Sequence, residues 1–295
     1  MKTRRKIGIP TSNPPALLLA LCALLLLWGA ATAHAQCPAE NRAFLPGETL
    51  DYDLYFNWKF IWKKVGTAGM TTTDTLYADH IPAYRFDMYS ISSKKIDFIF
   101  RMRDTLTCYV THRLEPLYFR KGAEEGRRYT IDEAWFSYDD DSRAHVHQRR
   151  TYRDGSTKEM TYSDNRCIFD MLSILAQARS FNAATYQVGD KINFPMATGR
   201  RVEEQTLIYR GMEDVEAKND TTYRCLVFSF VEYDDRGKED EIITFFVTDD
   251  DNHLPIRLDM YLSFGSAKIF LRQAAGLRYS LASAVVEKKK KKRED

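Results

Sequence analysis

The stretch DYDLYFNWKFIWKKVGTAG, Asp51 to Gly69, admits three readings: a membrane anchor, a sugar-stacking platform, or the inside of a β-protein. Its spacing selects among them. Leu50, Tyr52, Leu54, Phe56 and Trp58 fall on one face of an extended chain, and Asp51, Asp53, Tyr55 and Asn57 on the other. Alternation with period 2 is the pattern of a half-buried strand. Asp51 and Asp53 are too costly in a lipid interior for an anchor. Val65 to Thr73 reads as the partner strand, with Lys59 to Lys64 as the connection. Gly66, Ala68 and Gly69 leave room where aromatic neighbours crowd.

The same period runs outward from this hairpin. Strands are predicted near 83–91, 105–112, 115–121, 127–138, 143–152 and 157–163, then near 189–196, 201–212, 221–234, 240–249, 254–263 and 266–275. Polar and glycine-bearing turns punctuate them, among them Asp139 to Ser142, Asp154-Gly155 and Asp234 to Glu241. Two segments break the rhythm. In SDNRCIFDMLSILAQARSF, the residues Ile168, Met171, Leu172, Leu175 and Ala176 recur at helical spacing, which predicts a helix over about 167–180 capped by Asp164 or Asn165. A shorter helix is expected within Ser92 to Arg101. The fold class expected is mainly β: a large curved antiparallel sheet closing as a barrel or clam, with one central helix near 167–180.

The ends read differently from the body. Lys2, Arg4, Arg5 and Lys6 precede an apolar run from Ala16 to Trp28 and the small-x-small Ala33-His34-Ala35, which is the pattern of a signal peptide over 1–35. An uncleaved anchor is the alternative. Glu287 to Asp295 carries six of the 43 Lys and Arg residues, and 286–295 is expected to be a basic disordered tail. The leader holds four more, so the single β-rich domain over 36–285 keeps 33 basic residues against 38 acidic ones. That balance gives no electrostatic footprint for nucleic acid. Cys37, Cys108, Cys167 and Cys225 permit disulfides in an exported protein. Without a CxxC step, their pairing stays open, and buried free thiols at Cys108 and Cys225 are the alternative.

The succession PGETLDYDLYFNWKFIWKKVGTAGM, LEPLYFRKGAEEGRRY, IFDMLSILAQARS with YQVGDKINFPM, GMEDVEA, and VTDDDNHLPIRLDMYLSFGSAKIFL resembles the bacterial exported family catalogued as domain of unknown function 3108. The resemblance spans roughly 46–276. It implies a signal-bearing β-protein of the Gram-negative cell envelope, and it brings no catalytic motif to these residues.

Candidate chemistry is sparse. His145 and His147 lie two apart, on one strand face behind Asp139, Asp140 and Asp141, and are the candidate metal ligands, against a solvated turn. Asp249 and Asp251 invite a hard cation but lack the glycine and terminal glutamate of an EF-hand loop. GxSxG and HExxH are absent from the sequence. No cofactor is expected. The 17 Tyr, 17 Phe and 4 Trp either fill the inside of the sheet or line a groove in it. Tyr55, Trp58, Trp62 and Trp135 are the candidate ligand-binding residues. The function expected is a non-enzymatic protein of the periplasm, or associated with the outer membrane, that takes an apolar or glycan ligand, a lipid or an envelope protein in an aromatic-lined concavity. A polysaccharide-acting hydrolase or lyase and a structural or assembly factor are the alternatives. No transmembrane span is expected once the signal is cleaved.

Overall fold

A computed structural model describes residues 37–58, 61–218, 221–234, 236–262 and 265–285, without the Trp58 side chain. The predicted signal peptide and basic tail lie outside the described residues. From the N-terminus the elements are β1 (Thr49–Trp58), β2 (Ile61–Tyr77), β3 (Ile81–Ser92), α1 (Lys94–Asp97), β4 (Met102–Thr111), β5 (Pro116–Glu125), β6 (Arg128–Tyr138), β7 (Ala144–Tyr152) and β8 (Thr157–Asp164). After α2 (Met171–Ala178) come β9 (Lys191–Ala197), β10 (Val202–Glu216), β11 (Thr222–Tyr233), β12 (Glu239–Thr248), β13 (Pro255–Leu262), β14 (Gly265–Ala275) and the short β15 (Ala284–Val285).

These strands form one antiparallel sheet. Its order runs from β8 down to β1, crosses to β14, and continues down to β9, with β15 on β11. The first and last long strands are therefore neighbours: Leu54 lies opposite Ile269, and Tyr55 opposite Lys268. The ladder stays open between β8 and β9. Side chains and one turn link the two halves instead. The Gly199 N–H donates to Gln148 Oε1 on β7 at 2.8 Å. A Cβ at Gly199 would stand 2.3 Å from that of Asp132 on β6. Arg166, just past β8, donates to Glu204 on β10 at 2.6 Å. The sheet is thus the folded-over alternative rather than a hydrogen-bonded ring.

The opening hairpin forms as its alternation requires, with Leu50 opposite Met70 and Tyr52 opposite Ala68. Leu50, Tyr52 and Leu54 are buried. Two expectations are corrected. Lys63 and Lys64 belong to β2, which starts at Ile61 rather than Val65. The shared face also stops at Leu54, because a bulge between Leu54 and Tyr55 shifts the register against β2. An extra residue opposite one partner re-aims the side chains after it, so Phe56 is only half-buried. Glycine is required where the backbones close in: a Cβ at Gly66 would lie 2.2 Å from the Ile91 carbonyl oxygen. At Gly69 it would lie 2.5 Å from the Tyr89 ring.

The helix starts later than its spacing suggests, at Met171, and Asp170 caps it rather than Asp164 or Asn165. Asp170 Oδ1 accepts from the Leu172 and Ser173 N–H groups, and Ser173 Oγ accepts from the Asp170 N–H at 2.9 Å. This reciprocal pair is a capping box. The residues before it are held extended. Phe169 accepts from the Ala197 N–H at 2.7 Å and donates to the Pro195 carbonyl at 3.0 Å. Cys167 is bonded to Cys37. Asp164 caps only a turn, at the Arg166 N–H.

The α2 helix occupies the inside of the curl. Leu172 and Ala176 join Phe44, Phe86, Cys108, Phe119, Phe136 and Val146 in one core cluster. Leu175 packs against a second cluster built on Leu50, Tyr52, Met70, Cys225 and Phe246. Ile174 packs against a third, around Phe169, Phe194 and Leu207. A fully buried ion pair fixes the helix end: Arg179 Nη1 to Glu48 Oε1 is 2.5 Å, and Nη2 to Oε2 is 2.9 Å. Arg179 also donates to the Asn252 carbonyl oxygen. Of the four cysteines, Cys37 and Cys167 pair, while Cys108 and Cys225 are buried free thiols.

Candidate functional site

The candidate ligand-binding residues fall in separate places. Trp135 alternates along β6 with buried Ala134 and Phe136, so it faces away from the helix. There it joins a ladder of rings across the strands. Tyr77 and Tyr109 lie 5.3 Å apart, Tyr118 and Trp135 5.6 Å, and Trp135 and His147 5.3 Å. Offset cross-strand stacks of this kind stabilise a sheet face. Arg149 stands 5.0 Å over the Trp135 ring. It also holds Glu133 at 2.7 Å, and the Tyr118 hydroxyl donates to Glu133 at 2.8 Å. Burial alone would raise Glu133, yet these hydrogen bonds keep its carboxyl below the ordinary glutamate range.

His145 and His147 do share a strand face, but each turns to its own carboxylate. His145 Nε2 lies 3.3 Å from Asp139, and His147 Nε2 lies 3.2 Å from Glu159. No group of three or more His, Cys, Asp or Glu suited to a metal occurs among the described residues. Asp249 is spent on Arg224 at 2.6 Å. Asp250 closes the β12–β13 turn by accepting from Thr248, Asn252 and Ser283.

Tyr55 and Trp62 lie close to one neighbourhood, where β1, β13 and β14 run side by side. The register places Tyr55 opposite Lys268 and Asp53 opposite Phe270. Phe270 in turn lies opposite Arg257. The result is a column of alternating rings and cations. Arg257 stands 4.8 Å over Phe246 and 5.6 Å over Phe270. Lys218 Nζ stands 5.1 Å over Phe270 and 4.9 Å over Tyr55. Tyr55 meets Phe270 edge to face at 5.7 Å. Asp259 orients the cations, accepting from Arg257 Nε at 2.6 Å and pairing with Lys268 at 3.1 Å. Lys268 reaches the Trp62 ring at 5.1 Å. The backbone of Trp58 pairs with Ile61 at the hairpin end.

An open cleft of about 360 Å³ lies on this column, lined by Phe270, Arg257, Lys218, Glu213, Asp214 and Glu216. The three acids are exposed, so their oxygens face solvent. The cleft offers the Phe270 ring for stacking, carboxylates as acceptors, and Lys218 and Arg257 as donors. No local motif announces Lys218, Phe246, Arg257 or Phe270. They meet only through the β12–β13–β14–β1 register, although period 2 does place Arg257 and Asp259 on one face.

The strongly perturbed groups lie elsewhere. Cys108 donates to Asp170 at 3.4 Å in the sealed core. Burial raises the Cys108 thiol well above its ordinary value and raises the Asp170 carboxyl. Burial also pushes Cys225 up to about 12.

Among known proteins, a solved structure described as a beta-barrel-like protein of domain of unknown function DUF1849 from Brucella abortus is similar over 79% of this chain and 98% of its own, at 12% identity and a TM-score of 0.49. No curated protein matches the chain. The model of the family described as "Protein of unknown function (DUF3108)" matches residues 51–272. That span is well over half of the 295 residues and runs from β1 into β14, so the chain belongs to the DUF3108 family.

Proposed function

We propose that this protein is an exported, non-enzymatic β-protein of the Gram-negative envelope that binds a glycan in the Lys218–Phe270 cleft, beside Tyr55. The observation that carries the reading is the Phe270 ring flanked by Lys218 and Arg257 under an exposed carboxylate rim, with Tyr55 edge to face against it. Sugars present apolar C–H faces and a belt of hydroxyls, and this cleft offers a partner for each. A purely apolar ligand would leave Lys218 and the three acids without a role. The packed interior moves the binding surface from the inside of the curl to the cleft. Export is supported by the Cys37–Cys167 disulfide, which persists in oxidising compartments.

The test is calorimetric titration with soluble peptidoglycan fragments and chito-oligosaccharides. Wild-type protein is expected to bind at least one. Tyr55→Ala and Lys218→Ala are each expected to weaken that binding by about tenfold, the scale of one lost ring or cation contact. His147→Ala, on the separate ladder, is expected to leave it unchanged. Absence of binding to every glycan, or equal loss in all three variants, overturns the reading.

A further inference from the structure

One end of the sheet carries apolar side chains where solvent should be. In the α1–β4 link, Phe98 is 96% exposed, Ile99 69% and Phe100 49%. At the start of β2, Ile61 is 59% exposed and Trp62 40%. These two tips lie at the same end, because Gly66 near the start of β2 pairs with Ser92 at the end of β3. The β5–β6 turn joins them: the Gly126 N–H donates to the Arg101 carbonyl at 2.7 Å, beside the Phe100 ring. Exposed apolar patches on soluble proteins mark docking surfaces.

The charge around these tips identifies the partner. Lys63, Lys94, Lys95, Arg127 and Arg128 are exposed and have no ion-pair partner among the described residues. The nearby acids are already engaged. Asp97 pairs with Arg103, Glu124 with Arg101 at 3.5 Å, and Glu125 with Lys121 at 3.7 Å. The end is therefore cationic on a domain whose acids outnumber its bases. A groove of about 470 Å³ opens between β2 and α1, lined in part by Lys64, Ser93, Lys94 and Arg103. The apolar residues stand on separate tips ringed by lysine and arginine, not on a continuous flat face of the kind two proteins share.

We infer that this end docks on an anionic lipid surface. Phe98, Ile99, Ile61 and Trp62 enter the headgroup boundary, and the ring of cations, with the Lys64–Lys94 groove, takes lipid phosphates. Shallow apolar insertion combined with basic attraction is how peripheral proteins hold to membranes, and tryptophan favours that boundary. No described helix is long and apolar enough to cross a bilayer, and none is needed for this mode. The inference is independent of the glycan cleft.

The experiment is flotation of the protein, purified from an exporting host with its tail retained, on phosphatidylcholine vesicles with and without phosphatidylglycerol. Wild type is expected to float with the anionic vesicles only, and to be released by high salt. Lys94→Glu/Lys95→Glu is expected to weaken binding by roughly thirtyfold, from about 1 kcal/mol per basic residue. Phe98→Ser/Ile99→Ser is expected to weaken it about tenfold or more. Both tip variants replace exposed residues, so unchanged melting temperatures show that they fold. Brominated phosphatidylcholine mixed with phosphatidylglycerol is expected to quench wild-type tryptophan emission, and Trp62→Phe to lose most of that quenching. Equal flotation of wild type and both tip variants would assign binding to the tail and overturn the inference. So would failure of wild type to bind, or binding without quenching.

Discussion

Asp170 serves two structures at once. Its Oδ1 holds the first turn of α2 through Leu172 and Ser173, and its Oδ2 accepts from the Cys108 thiol on β4. It is fully buried, and burial raises its carboxyl above the ordinary range. A raised folded-state value means that the native protein holds this proton more tightly than the unfolded chain does. The stabilisation linked to that proton is fully present below the unfolded value near 4 and is lost as pH rises through the raised one. Asp170→Ala removes the cap and strands buried donors, so a loss of about 2–4 kcal/mol is expected. Asp170→Asn keeps an acceptor at the cap without the buried charge, and a loss under about 1 kcal/mol is expected. Urea unfolding of the two variants near neutral pH checks the order. Equal losses would place the charge, not the acceptor, at the centre of the cap. The sequence offers Asp164, Asn165 and Asp170 as caps before one apolar run. The choice is made by Cys37 and by the β9 edge, both remote in sequence, which hold 167–169 extended.

Among the elements, the strands are the legible part. Period 2 with polar turns finds β1 through β14 to within a few residues, because most of these strands have one buried and one wetter face. Bulges are not legible in this way. At Leu54/Tyr55 the alternation of residue types continues through Trp58 while the register does not, since a bulge is set by the partner strand. The candidate cleft is legible only in part for the same reason. Tyr55 stands out as an aromatic residue, whereas Lys218, Arg257 and Phe270 acquire meaning from strand order alone. One link between elements has a pH signature. Arg166 ties Asp164 at the end of β8 to Glu204 on β10. Hydrogen bonds from the Arg166 side chain and N–H, with one from Tyr162, lower Asp164 to about 2. A depressed carboxylate stabilises the fold above its unfolded value near 3.9, and that stabilisation is lost as pH falls toward 2. That lowering corresponds to roughly 2 kcal/mol. Wild-type stability is therefore expected to fall more steeply between pH 4 and 2 than that of Arg166→Met, the two curves converging at the acid end. Parallel curves in pH-resolved urea unfolding would count against the link.

At the scale of the whole molecule, a sheet left open between β8 and β9 must be kept folded over by something other than its ladder. Three contacts converge on the α2 segment for that purpose. Arg179 bonds Glu48 before β1 and Asn252 after β12. The side-chain amide of Gln177 donates to the Cys37 carbonyl at 2.7 Å. The disulfide joins Cys37 to Cys167 across 130 residues of sequence. Between those cysteines lie β1 to β8, the whole first half of the sheet, so the bond closes a loop around half the fold. Chain-entropy reasoning for a loop of this length gives about 5 kcal/mol, and native disulfides deliver somewhat less than the ideal. Cys37→Ser/Cys167→Ser is expected to lower stability by about 4 kcal/mol in urea unfolding and to be indifferent to reductant. Wild type in dithiothreitol is expected to converge on the variant. Cys108→Ala, which removes a buried thiol outside the bond, is expected to keep the full response to reductant. A double variant as stable as wild type would mean that the Arg179–Glu48 pair and the helix packing close the curl by themselves, with the disulfide adding nothing to them.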